Sequence, residues 1–164
     1  MPKALANRLL HTVETEEQAL RAITEPEASA AGRTTDAWSR KQELGHLIDS
    51  ATNNRVRFVV SALEGAYSGA TYDGRGWVEL GGYAAARWTE LTELWALLNR
   101  ALARVVEHIP DSRLKAECKV GTGDPVSLEF LINDYILHMQ HHLDHILARE
   151  HVTNYPSADR SSPI

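Results

Sequence analysis

Several residue types are scarce in this chain, and each scarcity excludes something. There is one cysteine, Cys118, among 164 residues, so no disulfide closes within the chain and a reducing compartment is expected. Positive charge is in deficit: 17 Lys and Arg face 22 Asp and Glu, a net charge of -5. That balance disfavours a nucleic-acid partner, which needs a basic face against phosphate. No apolar run approaches the roughly 20 residues of a membrane span. The first residues, Met-Pro-Lys-Ala-Leu-Ala-Asn, lack the apolar core of a signal peptide. A cytoplasmic location, with neither membrane nor nucleic acid as partner, is the expectation. No internal repeat or low-complexity tract is present, and hydrophobic and charged shares of 43% and 24% are ordinary for a globular domain.

Four stretches carry helical periodicity. The first runs from Lys3 to Ile23, with Leu9, Val13, Leu20 and Ile23 on one stripe and Pro26 beyond it. The second opens at Ser39, where Ser39-Arg40-Lys41-Gln42 fits a capping box, and continues to Glu64 before Gly65 and a Gly/Tyr/Asp-rich loop through Gly82. In the third, Trp88, Leu91, Trp95, Leu98, Leu102, Val105 and Ile109 alternate in steps of three and four, and Pro110 ends the run. That is a bundle seam. The fourth is expected from Asp124-Pro125 to Glu150, with the seam Leu128, Ile132, Tyr135, Met139, His142 and Ile146. Residues 113–123 read as a loop or small hairpin, and the tail from Asn154 to Ile164 as mobile. The fold class is all-α: a single up-down-type four-helix bundle over residues 1–153, followed by a flexible tail.

What the sequence has in excess is histidine, with eight in all. Four of them, His138, His141, His142 and His145, fall within eight residues of the last helix. At 100° per residue, His138, His142 and His145 lie within about 60° of one another, with His141 at the edge of the same face. Two pairs, His138/His142 and His141/His145, have the four-residue spacing that lets imidazoles on adjacent turns grip one ion. His142 also takes a seam position, where a buried imidazole needs partners for both nitrogens. A zincin motif is absent, because no Glu follows the first His of either pair. Glu43-Leu44-Gly45-His46 is one copy of the Glu-x-x-His unit that di-iron bundles use twice, and no second copy follows. A mononuclear, histidine-rich site is what remains.

Trp38-Ser39-x-Lys41-x-x-x-Gly45-His46-Leu47-Ile48-Asp49-Ser50, followed by Asp134-Tyr135-x-x-His138-x-x-His141-His142-Leu143-x-x-Ile146, resembles the DinB/YfiT-like superfamily. The likeness covers most of the chain in helix count, helix order and motif separation. It implies one divalent metal ion, zinc or nickel, held by His46 from the second helix and by His138 and His142 from the last. His145 stands where the family commonly has Gln, as a second-shell or simply exposed residue. The helical wheel of the second helix puts His46 away from its apolar stripe, beside Asp49, Ser50 and Asn53, on either a solvent face or the polar wall of a metal cleft.

Other residues carry weaker expectations. Asp49 is a candidate second-shell residue, as is Glu16, which falls on the apolar seam of the first helix. Arg55 interrupts the stripe of the second helix and either snorkels or meets an anionic substrate. Trp88 and Trp95 are core; Trp77 and Tyr72 line a cleft or a subunit interface. Nothing around Cys118 marks an activated nucleophile.

Three neutral ligands leave a coordination position open, the pattern of catalytic zinc. The resemblance implies a metal-dependent enzyme: first a transferase that uses a low-molecular-weight thiol such as bacillithiol or mycothiol on small electrophiles, then a metal-dependent hydrolase. A non-catalytic metal-binding or stress-related dimeric protein is the reading from a different class. The expected partners are a small-molecule substrate and a second copy of the chain.

Overall fold

The computed structural model describes residues 1–32, 37–150 and 152–155. Four long helices form the expected bundle: α1 (Pro2–Arg21), α3 (Arg40–Glu64), α5 (Trp88–Glu107) and α6 (Leu128–Ile146). Two short helices, α2 (Glu25–Ser29) and α4 (Gly74–Gly81), and three strands, β1 (Ala66–Gly69), β2 (Glu117–Val120) and β3 (Val126–Ser127), fill the connections. No helix among the described residues is long and apolar enough to cross a membrane.

Around the bundle α1 packs on α5, α5 on α3, α3 on α6, and α6 back on α1. Cross-helix bonds fix the directions. Arg100 meets Glu17 and the Trp88 indole donates to the Leu20 carbonyl, so α5 runs antiparallel to α1. Arg8 meets Asn133 and Arg149 meets Glu16, so α6 runs parallel to α1. His46 faces His138 while Glu43 faces His142, so α3 opposes α6. The order is therefore up-down-down-up, which refines the expected up-down bundle at one place. The crossover between α3 and α5 carries β1 and α4 back along the molecule, so those two helices run parallel. At its far end β2 pairs parallel with β1 and antiparallel with β3.

Local chemistry sets the ends of α3, which carries half of the site. The Ser39 hydroxyl accepts the Gln42 amide, and the Gln42 side chain accepts the Ser39 amide, completing the capping box. At the other end Gly65 takes φ 83, a left-handed cap that favours glycine. Lys41 is buried on an ion pair with Glu25, whose other oxygen accepts the Trp88 amide at 2.8 Å. One carboxylate thus ties α2, α3 and α5 together at the end where the histidines lie.

The buried face of α5 is Trp88, Leu91, Trp95, Asn99, Leu102 and Val106, continued by Ile109 just past its end, with Leu98 and Val105 only partly covered. The seam expected from steps of three and four drifts by a residue along the helix, because a straight α-helix turns about 20° per heptad away from a 3.5 repeat. Helix α6 begins at Leu128 rather than at Asp124, since Val126 and Ser127 pair with Cys118 and Glu117 and the Ser127 hydroxyl caps the Phe130 amide. It ends at Ile146 rather than Glu150: Ala148 adopts φ 55 and turns the chain back. Beyond it Tyr155 is buried; residues 156–164 of the expected tail lie outside the described residues. The loop expected between Gly65 and Gly82 contains β1 and α4, both too short for periodicity to reveal.

Candidate metal centre

His46 comes from the N-terminal third of α3, and His138 and His142 from successive turns of α6. Helix α3 approaches its covering segment closely at Gly45, where a Cβ would stand 2.1 Å from the Tyr83 ring. Tyr83 in turn donates to Asp49 Oδ1 at 2.6 Å. These contacts fix the turn of α3 that carries His46. His46 and His138 are 8% and 5% exposed, so the polar side of the α3 wheel is an interior wall and not a solvent face. The three imidazoles pack as a triangle, with ring centroids 5.1 Å, 4.8 Å and 4.5 Å apart for His46–His138, His46–His142 and His138–His142. One nitrogen from each falls in a group within 4.8 Å.

The nitrogens fit a metal. His46 Nε2 and His138 Nε2 stand 3.2 Å apart. Two imidazole nitrogens bound to one zinc at about 2.0–2.1 Å and a tetrahedral angle would be roughly 3.3 Å apart. Three imidazoles with no inner carboxylate form a donor set suited to zinc, nickel or copper rather than to magnesium or calcium. Both buried rings are poised as neutral ligands. Burial, and then the neighbouring His142, push His46 down to about 3; burial, and then His142 and His46, take His138 well below its ordinary value.

His142 is oriented differently. Its Nδ1 lies 2.9 Å from Glu43 Oε1, and the same oxygen lies 3.1 Å from His145 Nδ1. Burial alone would raise the Glu43 carboxyl, but the hydrogen bonds of His142 and His145 outweigh it and hold the group at about 2. An ionised carboxylate behind one nitrogen of an imidazole fixes the tautomer and leaves the other nitrogen as the ligand. Glu43 is the residue that the sequence reading missed in this role. Its signal was the Glu-x-x-His spacing to His46, which reads as a ligand pair but here serves the opposite helix.

The remaining candidates fall into place around this group. Asp49 is buried, bonded to Tyr83 through one oxygen and without a partner on the other. Burial raises its carboxyl, against the Tyr83 bond. His145 is half exposed and shares Glu43. Glu16 does not turn to the imidazoles: both its oxygens are taken by the Arg149 guanidinium, at 2.8 Å and 2.7 Å. The expected second-shell role of Glu16 is replaced by an ion pair at the seam edge. Arg55 is exposed, whereas Arg57 on the same helix is buried, with its guanidinium 6.0 Å from the Tyr72 ring centre. Tyr72 also contacts Trp77, which is part exposed. Cys118 is buried beside the Ser61 hydroxyl, and burial raises its thiol.

Two aromatic rings cover the triangle. Trp38, just before α3, lies 5.1 Å from His46. Tyr155 folds back over His138 and His141 at 5.8 Å and 5.6 Å, on a segment held where Asp144 Oδ2 accepts the Thr153 amide. No sequence signal marked Tyr155, because its place depends on the reversal at Ala148.

Comparison with known proteins agrees with this architecture. The family model described as the DinB superfamily matches residues 4–146. A Bacillus subtilis protein that carries the name of a metal-dependent hydrolase, YfiT, is 26% identical over 130 residues, covering 79% of this chain and 72% of the relative. A Bacillus licheniformis protein with the same kind of name is 30% identical over 118 residues, 70% of this chain and 65% of the relative. The solved structure of Bacillus subtilis YfiT, described as a probable metal-dependent hydrolase with an unusual four-helix bundle topology, superposes with a TM-score of 0.79 at 23% identity, covering 90% of this chain and 84% of that one. With the family model spanning nearly all of the bundle, this chain belongs to the DinB superfamily.

Proposed function

We propose that His46, His138 and His142 hold one divalent ion, zinc or nickel, and that the chain uses it to join a low-molecular-weight thiol to small electrophiles. The observation that carries the metal reading is the convergence of three imidazoles from facing helices, two of them with Nε2 atoms at 3.2 Å. A bound ion with an open position supplies a lowered pKa to water or thiol there, and a Lewis acid for a polarised substrate. The chain's own residues do the rest. His46 and His138 are kept neutral by burial and present lone pairs rather than protons. Glu43 holds the proton on Nδ1 of His142. Trp38 and Tyr155 limit water at the triangle.

In the transfer itself the thiol surrenders its proton, its sulfur bonds to the electrophilic carbon, and the leaving group departs with its electron pair. Asp49, buried and with one oxygen unpartnered, is the α3 carboxyl left free to take part in handling that proton, since Glu43 is engaged by His142 and His145. Bacillithiol or mycothiol fits the thiol, and a soluble cytoplasmic homodimer is the working assembly. Hydrolysis is the second reading, favoured by the names that both Bacillus relatives carry.

The test combines metal analysis of tag-free protein with two assays. One follows conjugation of a thiol to chlorodinitrobenzene; the other follows thiol-free cleavage of a chromogenic ester. About one zinc or nickel per chain with thiol-dependent turnover supports the first reading, and turnover of the ester alone supports the second. Protein that takes up no metal at the triangle, even on reconstitution, overturns both.

A further inference from the structure

The triangle uses only one of the two four-spaced histidine pairs on α6. His141 and His145 are left over, and their rings stand 4.3 Å apart, much like the 4.5 Å of the His138–His142 pair. Glu43 rises beside them from α3. Its two hydrogen bonds both use Oε1, so Oε2 is without one among the described residues. Ligand atoms of Glu43, His142 and His145 lie within 4.8 Å of one another; His141 stands outside that group and adjoins it through the ring of His145. Unlike the buried triangle, this group opens outward: Glu43 and His145 line a cavity of about 570 Å³ between α2, the start of α3 and the end of α6. A hydrated ion reaches it without crossing the core.

We propose that Glu43 and His145, joined by His141 from the preceding turn of α6, form a second, outer binding site for a borderline divalent cation such as zinc, nickel or copper(II). The proposal goes beyond the inner triangle and does not rest on it, since the outer donors are complete without an inner ion. Imidazole with a carboxylate is a donor set for these metals. The spacing is suitable: Glu43 Oε1 and His145 Nδ1, at 3.1 Å, are separated about as two ligands of one tetrahedral ion are, at roughly 3.3 Å. Binding exchanges the proton of His145 Nδ1 for the ion, and Glu43 turns from acceptor of that proton to ligand. Its other service, to His142, continues. The outer site is more exposed and has fewer buried donors than the inner one, so it fills second.

Zinc titration of the full chain, stripped by a chelator and followed by competition with a chromophoric chelator, tests this. Wild type should show two steps of one equivalent each. His145→Ala and His141→Ala should each remove the second step. The first step should stay well inside the roughly 10–100-fold loss that removing an outer-shell partner causes. His138→Ala should lose the first step and keep the second, which separates failure of the inner reading from failure of this one. Circular dichroism confirms that the exposed-edge variants fold. A single step up to millimolar zinc that His138→Ala abolishes overturns the outer site. So does a second step that survives both His145→Ala and His141→Ala, since it would then arise elsewhere, as at His11 or His108.

Discussion

Two interfaces of the bundle differ in kind. Where α1 meets α5 the buried side chains are Leu9, Val13, Leu20, Trp88, Trp95 and Leu102; the Trp88 indole is satisfied there by the Leu20 carbonyl, and the Glu17–Arg100 ion pair lies at the rim. Where α3 meets α6, His46 and His138 are buried beside the partly covered Glu43 and His142, and Ser50, Asn54, Arg57 and Ser61 follow along α3, these four buried as well. The first interface buries mainly apolar area, with the uncharged Trp95 indole nitrogen unpartnered, and makes no demand on pH or metal. The second leaves His46 Nδ1, His138 Nδ1, Asp49 Oδ2 and Asn54 Oδ1 buried with no hydrogen-bond partner, a state that costs about 1–3 kcal/mol per group unless something completes it. Stability resides on one side of the bundle, and the other side is spent on a site.

The largest expected effect is therefore at α5. Trp95 is fully buried, and Trp95→Ala should cost about 3–5 kcal/mol in denaturant unfolding of the metal-free protein. His138→Ala removes a buried ring that lacks full hydrogen bonding, and it should cost the metal-free protein less while abolishing metal uptake. A metal-free His138→Ala protein less stable than Trp95→Ala would break the division between the two sides.

The same division sets the pH response. The His46 and His138 pKa values are depressed, so below about pH 6.5 the unfolded chain binds protons that the folded chain refuses. Their stabilising effect is full above that pH and is lost as pH falls toward the folded values. With two such groups the metal-free protein should lose up to about 2.7 kcal/mol per pH unit in that window. Glu43 adds a loss of the same sign only at lower pH, between 4.5 and about 2. His145, raised first by its bond to Glu43, acts in the opposite direction and is discounted for exposure. Trp95→Ala should shift the whole stability curve and leave its slope between pH 6.5 and 5 unchanged, whereas His138→Ala should flatten it. Denaturant midpoints across that range decide.

The two sides also differed in how much of them was legible. Local patterns reveal helices, caps and seams: the Ser39 box, the α5 stripe and the apolar face of α1 are all visible as residues a few positions apart. The α6 histidine pair is visible for the same reason. What joins α3 to α6 is not, because His46 meets His138 across 92 residues and Glu43 meets His142 across 99. The resemblance to a known family supplied the first of these, and nothing supplied the second. Glu43 was read for its nearest histidine in sequence, although its partners lie on another helix. Helix α4 and β1 escaped because elements of four to eight residues carry too little periodicity, whereas the turn glycines marked the loop or small hairpin at 113–123 where β2 leads to its antiparallel partner β3; Tyr155 escaped because a single left-handed residue, Ala148, decides where it goes.

Glu43 sharpens the comparison further. Glu43→Gln keeps the shape but removes the charge behind His142, and zinc affinity at the inner site should fall by roughly 10–100-fold. The metal-free protein should change much less. A competition titration showing affinity within a few-fold of wild type would mean that the carboxylate serves only His145.

The smallest effect is expected at Glu16, where the two sides of the bundle meet. Its carboxylate is held bidentately by Arg149, at 2.8 Å and 2.7 Å, and the Arg149 side chain is 36% exposed. A partly solvated ion pair of this kind contributes about 0.2–1 kcal/mol, and salt screens it. Arg149 also reaches Asp144 Oδ1 at 3.8 Å, while Asp144 Oδ2 anchors the segment that brings Tyr155 over His138. Removing Glu16 therefore frees the guanidinium to lean on Asp144 without uncovering the imidazoles. Glu16→Gln should lower stability by no more than about 1 kcal/mol at low salt, show a difference that vanishes in molar salt, and leave zinc affinity as in wild type. Paired denaturation and zinc titrations measure all three. A drop in zinc affinity comparable to that of Glu43→Gln, persisting in molar salt, would put Glu16 back behind the metal ligands and make the α1 side of the bundle part of the site.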